Sequence, residues 1–351
     1  MQLNHGGDWA GYQSEYGGMP LDFSANMSPL GLPDGVRQAI TDALPRADLY
    51  PDPLCRALTG ALAEHHRIDP AHILCGSGAA DLIYRLVLSL RPRRALVTAP
   101  SFSEYASALA LAGCEVNLHV LREAEDFAVT ERFLEDIGPD TDLVFLCEPN
   151  NPTGRTTDPA LVRRILQKCA DCGAVLAVDE CFQEFLDEPG KHTLLPLLEE
   201  FPKLVLFKAF TKAYAMAGVR LGYVLCADPA LLCGMRRAGQ PWAVSHLAQA
   251  GGIAALRETE YARTLHELVC AQRPRLADGL SALGCRVIPG EANYPLFYHP
   301  DPQLIPALRR RGILVRDCAN YPGLGPGWVR AAVRTAEDND RLLRAMGEVL
   351  G

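Results

Sequence analysis

Between about residues 70 and 235, short apolar runs alternate with stretches of helical periodicity. HILCG, RALVTA, EVNLHVL, DLVFLC, AVLAVDE, LVLFK and RLGYVLC read as strands, and a helical pattern follows each of the first four. Near-continuous apolar strands separated by helices predict a mostly parallel sheet covered on both faces, an α/β doubly wound architecture. Upstream, helices are expected over about 34–44 and 54–67, divided by the LYPDP turn, whose two prolines forbid one continuous helix. Downstream, a long helical stretch runs to about 283. Strands follow near 285–298, then a helix to about 311, then ILVR, WVRAAVR and a closing helix. Alternation is less regular there, which predicts a smaller α+β domain. Residues 1–33 lack periodicity, yet Trp9, Tyr12, Phe23 and Leu30 keep interrupting their turn chemistry, so they read as an ordered arm packing with that smaller domain. The expected division is 1–33, 34–260 and 261–351.

The chain has 351 residues, 48% of them hydrophobic, ample for a buried core. A net charge of −8 argues against a nucleic-acid partner or an anionic membrane surface. No 18-residue apolar run and no signal-type opening are visible, so the expected location is the cytoplasm. Twelve cysteines are scattered through strands and helices without paired spacing and read as free thiols. Cys169 and Cys172 form the one CxxC. It lies late in a helical pattern with no second pair, and no metal site is expected.

Candidate chemistry gathers where strands end. Gly76-Ser77-Gly78-Ala79-Ala80-Asp81 follows a strand and opens a helix, and backbone amides at such a start favour a phosphate. It is not a dinucleotide fingerprint, because Asp81 stands where the third glycine would be. Asp179 closes AVLAVD, at the edge where open α/β sheets bind ligands. LVLFKAFTKAYAMAGVRLGY places Lys212 after a strand, with Gly218, Arg220 and Gly222 at fixed offsets. An amine with a guanidinium eight residues on that can fork onto a phosphate is a pair suited to covalent chemistry on an anionic group.

The order Gly-rich turn, NNPTG, VDE, TK and GxRxG resembles the class I/II aminotransferases, fold-type I enzymes that use pyridoxal 5′-phosphate. The resemblance implies that Lys212 bonds the cofactor and that Asp179 faces its ring nitrogen. Asn151 would meet its phenolic oxygen, and an aromatic of PSFSEY, Tyr105 in preference to Phe102, would stack on its ring. Gly78, Ala79, Ala80, Thr211 and Arg220 would hold its phosphate, with Tyr50 of LYPDP reaching across from the partner of a homodimer. Ala209, Ala79 and Ala80 depart from the family by replacing residues that commonly carry hydroxyls.

From HGG near the start to RDCANYPGLG near the end, the chain further resembles the branch that decarboxylates O-phospho-L-threonine in cobalamin biosynthesis. Histidinol-phosphate aminotransferases, or another aminotransferase, are the alternative. For that branch Arg330 would hold the substrate carboxylate, Arg316 with His5 and Gly6 its phosphate, and Asn26 and Asn151 would border the amino acid. Phe182 replaces a tyrosine common in the aminotransferases, and Asp8 departs from the usual HGGN.

Overall fold

All seven apolar runs join one sheet in the computed structural model, which describes residues 5–351. The strands are β2 (Ile73–Gly76), β3 (Arg94–Ala99), β4 (Glu115–Val120), β5 (Leu143–Cys147), β6 (Val175–Asp179), β7 (Leu204–Ala209) and β8 (Gly222–Leu225). Their order is β2-β8-β7-β6-β5-β3-β4, parallel except where β8 runs antiparallel to both neighbours. Period-2 alternation divides the central strands between two cores. Val144, Leu146, Leu176, Val178, Leu204 and Leu206 face one, while Leu143, Phe145, Val175, Ala177, Val205 and Phe207 face the other. The first core is closed by helices Asp34–Ala43, Arg56–His66, Pro159–Cys172 and His246–Ala255. The second is closed by Ala79–Leu90, Ser103–Leu111 and Pro229–Ala238.

One connection departs from the predicted pattern. No α-helix joins β4 to β5; the segment carries only short 3-10 turns at Glu123–Glu125 and Glu131–Asp136. Its two phenylalanines are claimed by different cores, Phe133 by the first and Phe127 by a separate cluster with Leu121, Ile288, Leu296 and Trp328. Asp126 and Phe127 both take positive φ, 48° and 55°, to make that detour, and a helix cannot continue through them.

A second, antiparallel sheet has the order β12-β13-β10-β9, from β9 (Arg286–Val287), β10 (Leu296–Tyr298), β12 (Arg316–Asp317) and β13 (Trp328–Arg330). Beside it β1 (Leu21–Asp22) pairs in parallel with β11 (Ile313–Leu314), and Phe23 is fully buried with Leu276, Leu280, Phe297 and Val329. The segment read as aperiodic contains a helix, Trp9–Tyr16. Asp8 caps it by accepting from Gly11 N at 3.1 Å, and Gly17 ends it at φ 78°. Arg309 fastens this helix, its guanidinium over the rings of Tyr12 and Tyr16 and paired with Glu15 at 2.8 Å. The twelve cysteines are all free thiols.

Candidate active site

At the carboxyl ends of β5, β6 and β7 lies a cavity of about 400 Å3, walled by the first sheet on one side and by the arm and second sheet on the other. Strand β7 ends at Ala209, and the single turn Phe210–Ala213 carries Lys212 into the cavity. Ser28 N donates to the Lys212 carbonyl at 2.9 Å, tying that turn to the arm. Lys212 Nζ lies 5.5 Å from the centre of the Phe182 ring. Burial, and then the positive charge of Arg330, lower the amine to about 8.

Asp179 is the last residue of β6, so its carboxylate emerges at the sheet edge. Its Oδ1 accepts from Cys181 N at 3.0 Å and its Oδ2 from the Tyr105 hydroxyl at 2.6 Å. Tyr105 therefore does not present its ring to the cavity, contrary to the expectation. It is fully buried, stacked on Phe145 at 4.8 Å, and supports the carboxylate from behind. Phe102, three residues earlier and at the helix start, is the aromatic that lines the cavity.

The Gly-rich turn enters helix Ala79–Leu90 through Gly78 at φ 90°. Two close approaches explain its glycines. A Cβ on Gly78 would lie 2.8 Å from Arg220 Nη2, and one on Gly222 would lie 2.7 Å from Ala79 N. The guanidinium of Arg220, whose backbone takes φ 61°, thus rests against the turn, and Ala79, Ala80 and Thr211 line the cavity with it. Asp81 has a role that its position in the motif did not disclose. It accepts from Ser77 N at 2.8 Å and pairs with buried Arg85 at 2.7 Å, bracing the turn.

The opposite wall carries the cations. Arg330, on β13, is 5% exposed; it donates to Asn151 Oδ1 and to the Ser24 carbonyl at 2.9 Å and lies over the Tyr294 ring. Arg316, on β12, is 7% exposed; it donates to the Asp317 carbonyl at 2.6 Å and to Asn320 Oδ1 at 2.8 Å and lies over Tyr321. Asn26 lines the cavity at 1% exposure, and neither of its side-chain polar atoms has a hydrogen-bond partner among the described residues. His5 and Gly6 also line it. A Cβ on Gly6 would come within 2.2 Å of the Ser24 carbonyl, so the arm lies flat on the residue that holds Arg330.

Tyr50 is not in this cavity. It is 77% exposed and stacked on Trp242 at 4.5 Å. Ser24, Tyr321 and Glu104 do reach the cavity and were not anticipated. Ser24 and Tyr321 act through a carbonyl and a ring face, which leave no trace in a motif, and Glu104 reads as an ordinary first-turn acid of a helix. Among the described residues no group of three or more His, Cys, Asp and Glu could hold a metal ion, and no helix is long and apolar enough to cross a membrane.

Residues 19–346 match the family "Aminotransferase class I and II". A threonine-phosphate decarboxylase of Salmonella typhimurium is 39% identical over 333 residues, covering 94% of this chain and 91% of that protein. "Histidinol-phosphate aminotransferase 2" of Ralstonia nicotianae is 32% identical, covering 94% of this chain and 88% of its own length. Among solved structures, a histidinol-phosphate aminotransferase from Clostridium acetobutylicum superposes with a TM-score of 0.88 at 26% identity, over 94% of this chain and 98% of that one.

Proposed function

The chain belongs to the class I and II aminotransferase family, and from that premise we propose that it decarboxylates O-phospho-L-threonine to aminopropanol phosphate and carbon dioxide. The observation that carries this reading is the pair of buried guanidiniums, Arg330 and Arg316, opening on one cavity with a lysine whose amine is lowered to about 8. Arg330 has only neutral hydrogen-bond partners among the described residues and forms no ion pair there. A buried charge in that condition is costly until an anion arrives. A substrate bearing both a carboxylate and a phosphate matches two guanidiniums that line one cavity.

The cofactor is pyridoxal 5′-phosphate, and the residues present fit it. Lys212 offers an amine lowered toward neutrality, Asp179 a fixed carboxylate, and the Gly78 turn a bed of amides against Arg220. The two unpartnered atoms of Asn26 are the kind of buried vacancy that a polar guest relieves. Bound there, the cofactor supplies an electron-withdrawing ring that takes up the electron pair of the breaking bond. Lys212 would hold it covalently, Asp179 would keep its ring nitrogen protonated, and Tyr105 would keep Asp179 in place. Arg220, Thr211 and the amides of Gly78, Ala79 and Ala80 would carry its phosphate.

Arg330 and Asn151 then grip the substrate carboxylate, and Arg316, His5 and Gly6 its phosphate, which fixes which bond at the α-carbon stands ready to break. A barrier difference of ~3 kcal/mol between losing carbon dioxide and losing the α-proton gives roughly a hundredfold selectivity. Lys212 Nζ delivers the proton that replaces the carboxylate. Phe182, its ring centre 5.1 Å from that of Tyr294 and 5.5 Å from Lys212 Nζ, supplies no hydroxyl to this end of the cavity. The step would then serve cobalamin biosynthesis in the cytoplasm. A homodimer belongs to this reading, supported by the exposed apolar surface of Leu49, Tyr50, Leu54 and Trp242, from which Tyr50 would reach the partner's cofactor phosphate. Residues 1–33 would work as an arm on the small domain, 261–351, against a large domain of 34–260.

Incubation of the cofactor-loaded protein with O-phospho-L-threonine should release carbon dioxide and form aminopropanol phosphate. Glutamate from 2-oxoglutarate and histidinol phosphate, without carbon dioxide from phosphothreonine, would instead assign an aminotransferase.

A further inference from the structure

Glu104 stands in the wall of the cavity and takes no part in the chemistry above. By charge alone it is misplaced, since a carboxylate repels a substrate that carries two anions. Its contacts give it another purpose. In the first turn of helix Ser103–Leu111, its Oε2 accepts from the Tyr84 hydroxyl at 2.9 Å, which fixes the rotation of the carboxylate. Its Oε1 meets His5 Nε2 at 2.9 Å. His5 needs such a hold: its side chain is 50% exposed, and the neighbouring anchors of the arm are the Gly7 N bond to Ser24 Oγ at 2.8 Å and the flat seat of Gly6 on Ser24. Its ring otherwise only leans on Phe102, 5.9 Å between centres.

We propose that Glu104 is a positioning residue for phosphorylated substrates, accepting Nε2–H from His5 in its doubly protonated form, so that in the cavity that Arg316 also lines Nδ1–H is the donor left for the substrate phosphate. An imidazole that gives one N–H to a carboxylate has its orientation fixed, in the way that outer carboxylates orient histidines at metal sites. Glu104 and Tyr84 therefore build the phosphate end of the cavity without touching the phosphate. The inference rests on the reading that the substrate carries a phosphate at this end, and it adds how His5 of the HGG segment is held to the task.

The test uses cofactor-loaded enzyme and the variants E104Q, H5A and the double variant, with turnover of O-phospho-L-threonine and binding of L-threonine as paired readouts. In E104Q the amide keeps the shape and the Tyr84 bond but loses the charge. KM for phosphothreonine should rise about tenfold with kcat within about twofold, while L-threonine binding stays unchanged. H5A should raise KM similarly, and the double variant should add little to either, as expected for one coupled unit. A lower KM in E104Q would mean that Glu104 acts only as a repelling wall charge, and equal weakening of both ligands would mean only a scaffold role; either result overturns the proposal. Inorganic phosphate serves as an independent probe. If wild type binds it and does not turn over phosphothreonine, the function proposed above fails, while weaker phosphate binding in both single variants still supports the role of Glu104 and unchanged binding overturns it.

Discussion

Lys212 carries two positive neighbours and little water, and its titration reports both. A lysine whose folded value is about 8 instead of the ordinary ~10.4 releases its proton more easily, so the free amine becomes the major form above pH 8. Cofactor capture by the cofactor-free protein should therefore quicken with a midpoint near pH 8, followed by absorbance of the bound cofactor. Arg330→Met removes the second-largest cause of that lowering, so its midpoint should move upward. Lys212→Ala should abolish the bound-cofactor absorbance outright.

Glu148 is the opposite case. Burial raises its carboxyl to about 8, although Thr157 N donates to it at 2.8 Å. The unfolded chain ionises this group near its ordinary ~4.3, so the folded state binds more protons between about pH 4 and 8, and stability falls across that window as pH rises. Glu148→Gln keeps the acceptor for Thr157 and should flatten the decline, melting a few degrees above wild type at pH 8 and no higher at pH 4.5. At this scale the sequence disclosed which polar residues gather but not which way an aromatic faces. Phe102 and Tyr105 stand three apart at one helix start, and only the claim of Phe145 on the tyrosine ring, with Asp179 on its hydroxyl, separates their roles.

Among elements, the contact of β8 with the Gly-rich turn matters most to the cavity. Gly222→Ala would push a methyl to 2.7 Å from Ala79 N, with backbone on the receiving side. The expected cost is about 1–3 kcal/mol of stability, together with a loss of cofactor affinity of at least tenfold, measured by thermal melting and by absorbance titration. The alternation of apolar runs sufficed to place all seven strands of the first sheet and the carboxyl edge where the site stands. It failed between β4 and β5, where Phe127 and Phe133 serve different cores and long-range packing overrides a locally acceptable helical pattern. It failed again over Trp9–Tyr16, a helix held by Arg309, almost three hundred residues away, as well as by its own caps.

For the whole molecule, the exposed stack of Tyr50 on Trp242 is the surface to perturb. Trp242→Glu should leave the fold intact by circular dichroism yet yield monomers by sedimentation, with weakened cofactor binding, if a second copy covers this face and lends Tyr50. The seat of the arm is a matter of the core instead. Phe23→Ala empties a fully buried ring from the cluster it shares with Leu276, Leu280, Phe297 and Val329 and should cost about 3–5 kcal/mol, read by denaturant unfolding.

The pairing of Leu21–Asp22 with Ile313–Leu314 also sets a timetable. On the ribosome, the arm emerges first and its partner strand follows roughly three hundred residues later, on the order of 15–60 s at ordinary elongation rates. Through that interval the seven-stranded sheet can be made, but Asn26, His5 and the two arginines have nowhere to meet. Nascent or prematurely released chains would carry the lysine and the Gly-rich turn with half a wall missing, and competence for catalysis would arrive all at once, when the segment from Ile313 to Arg330 has emerged.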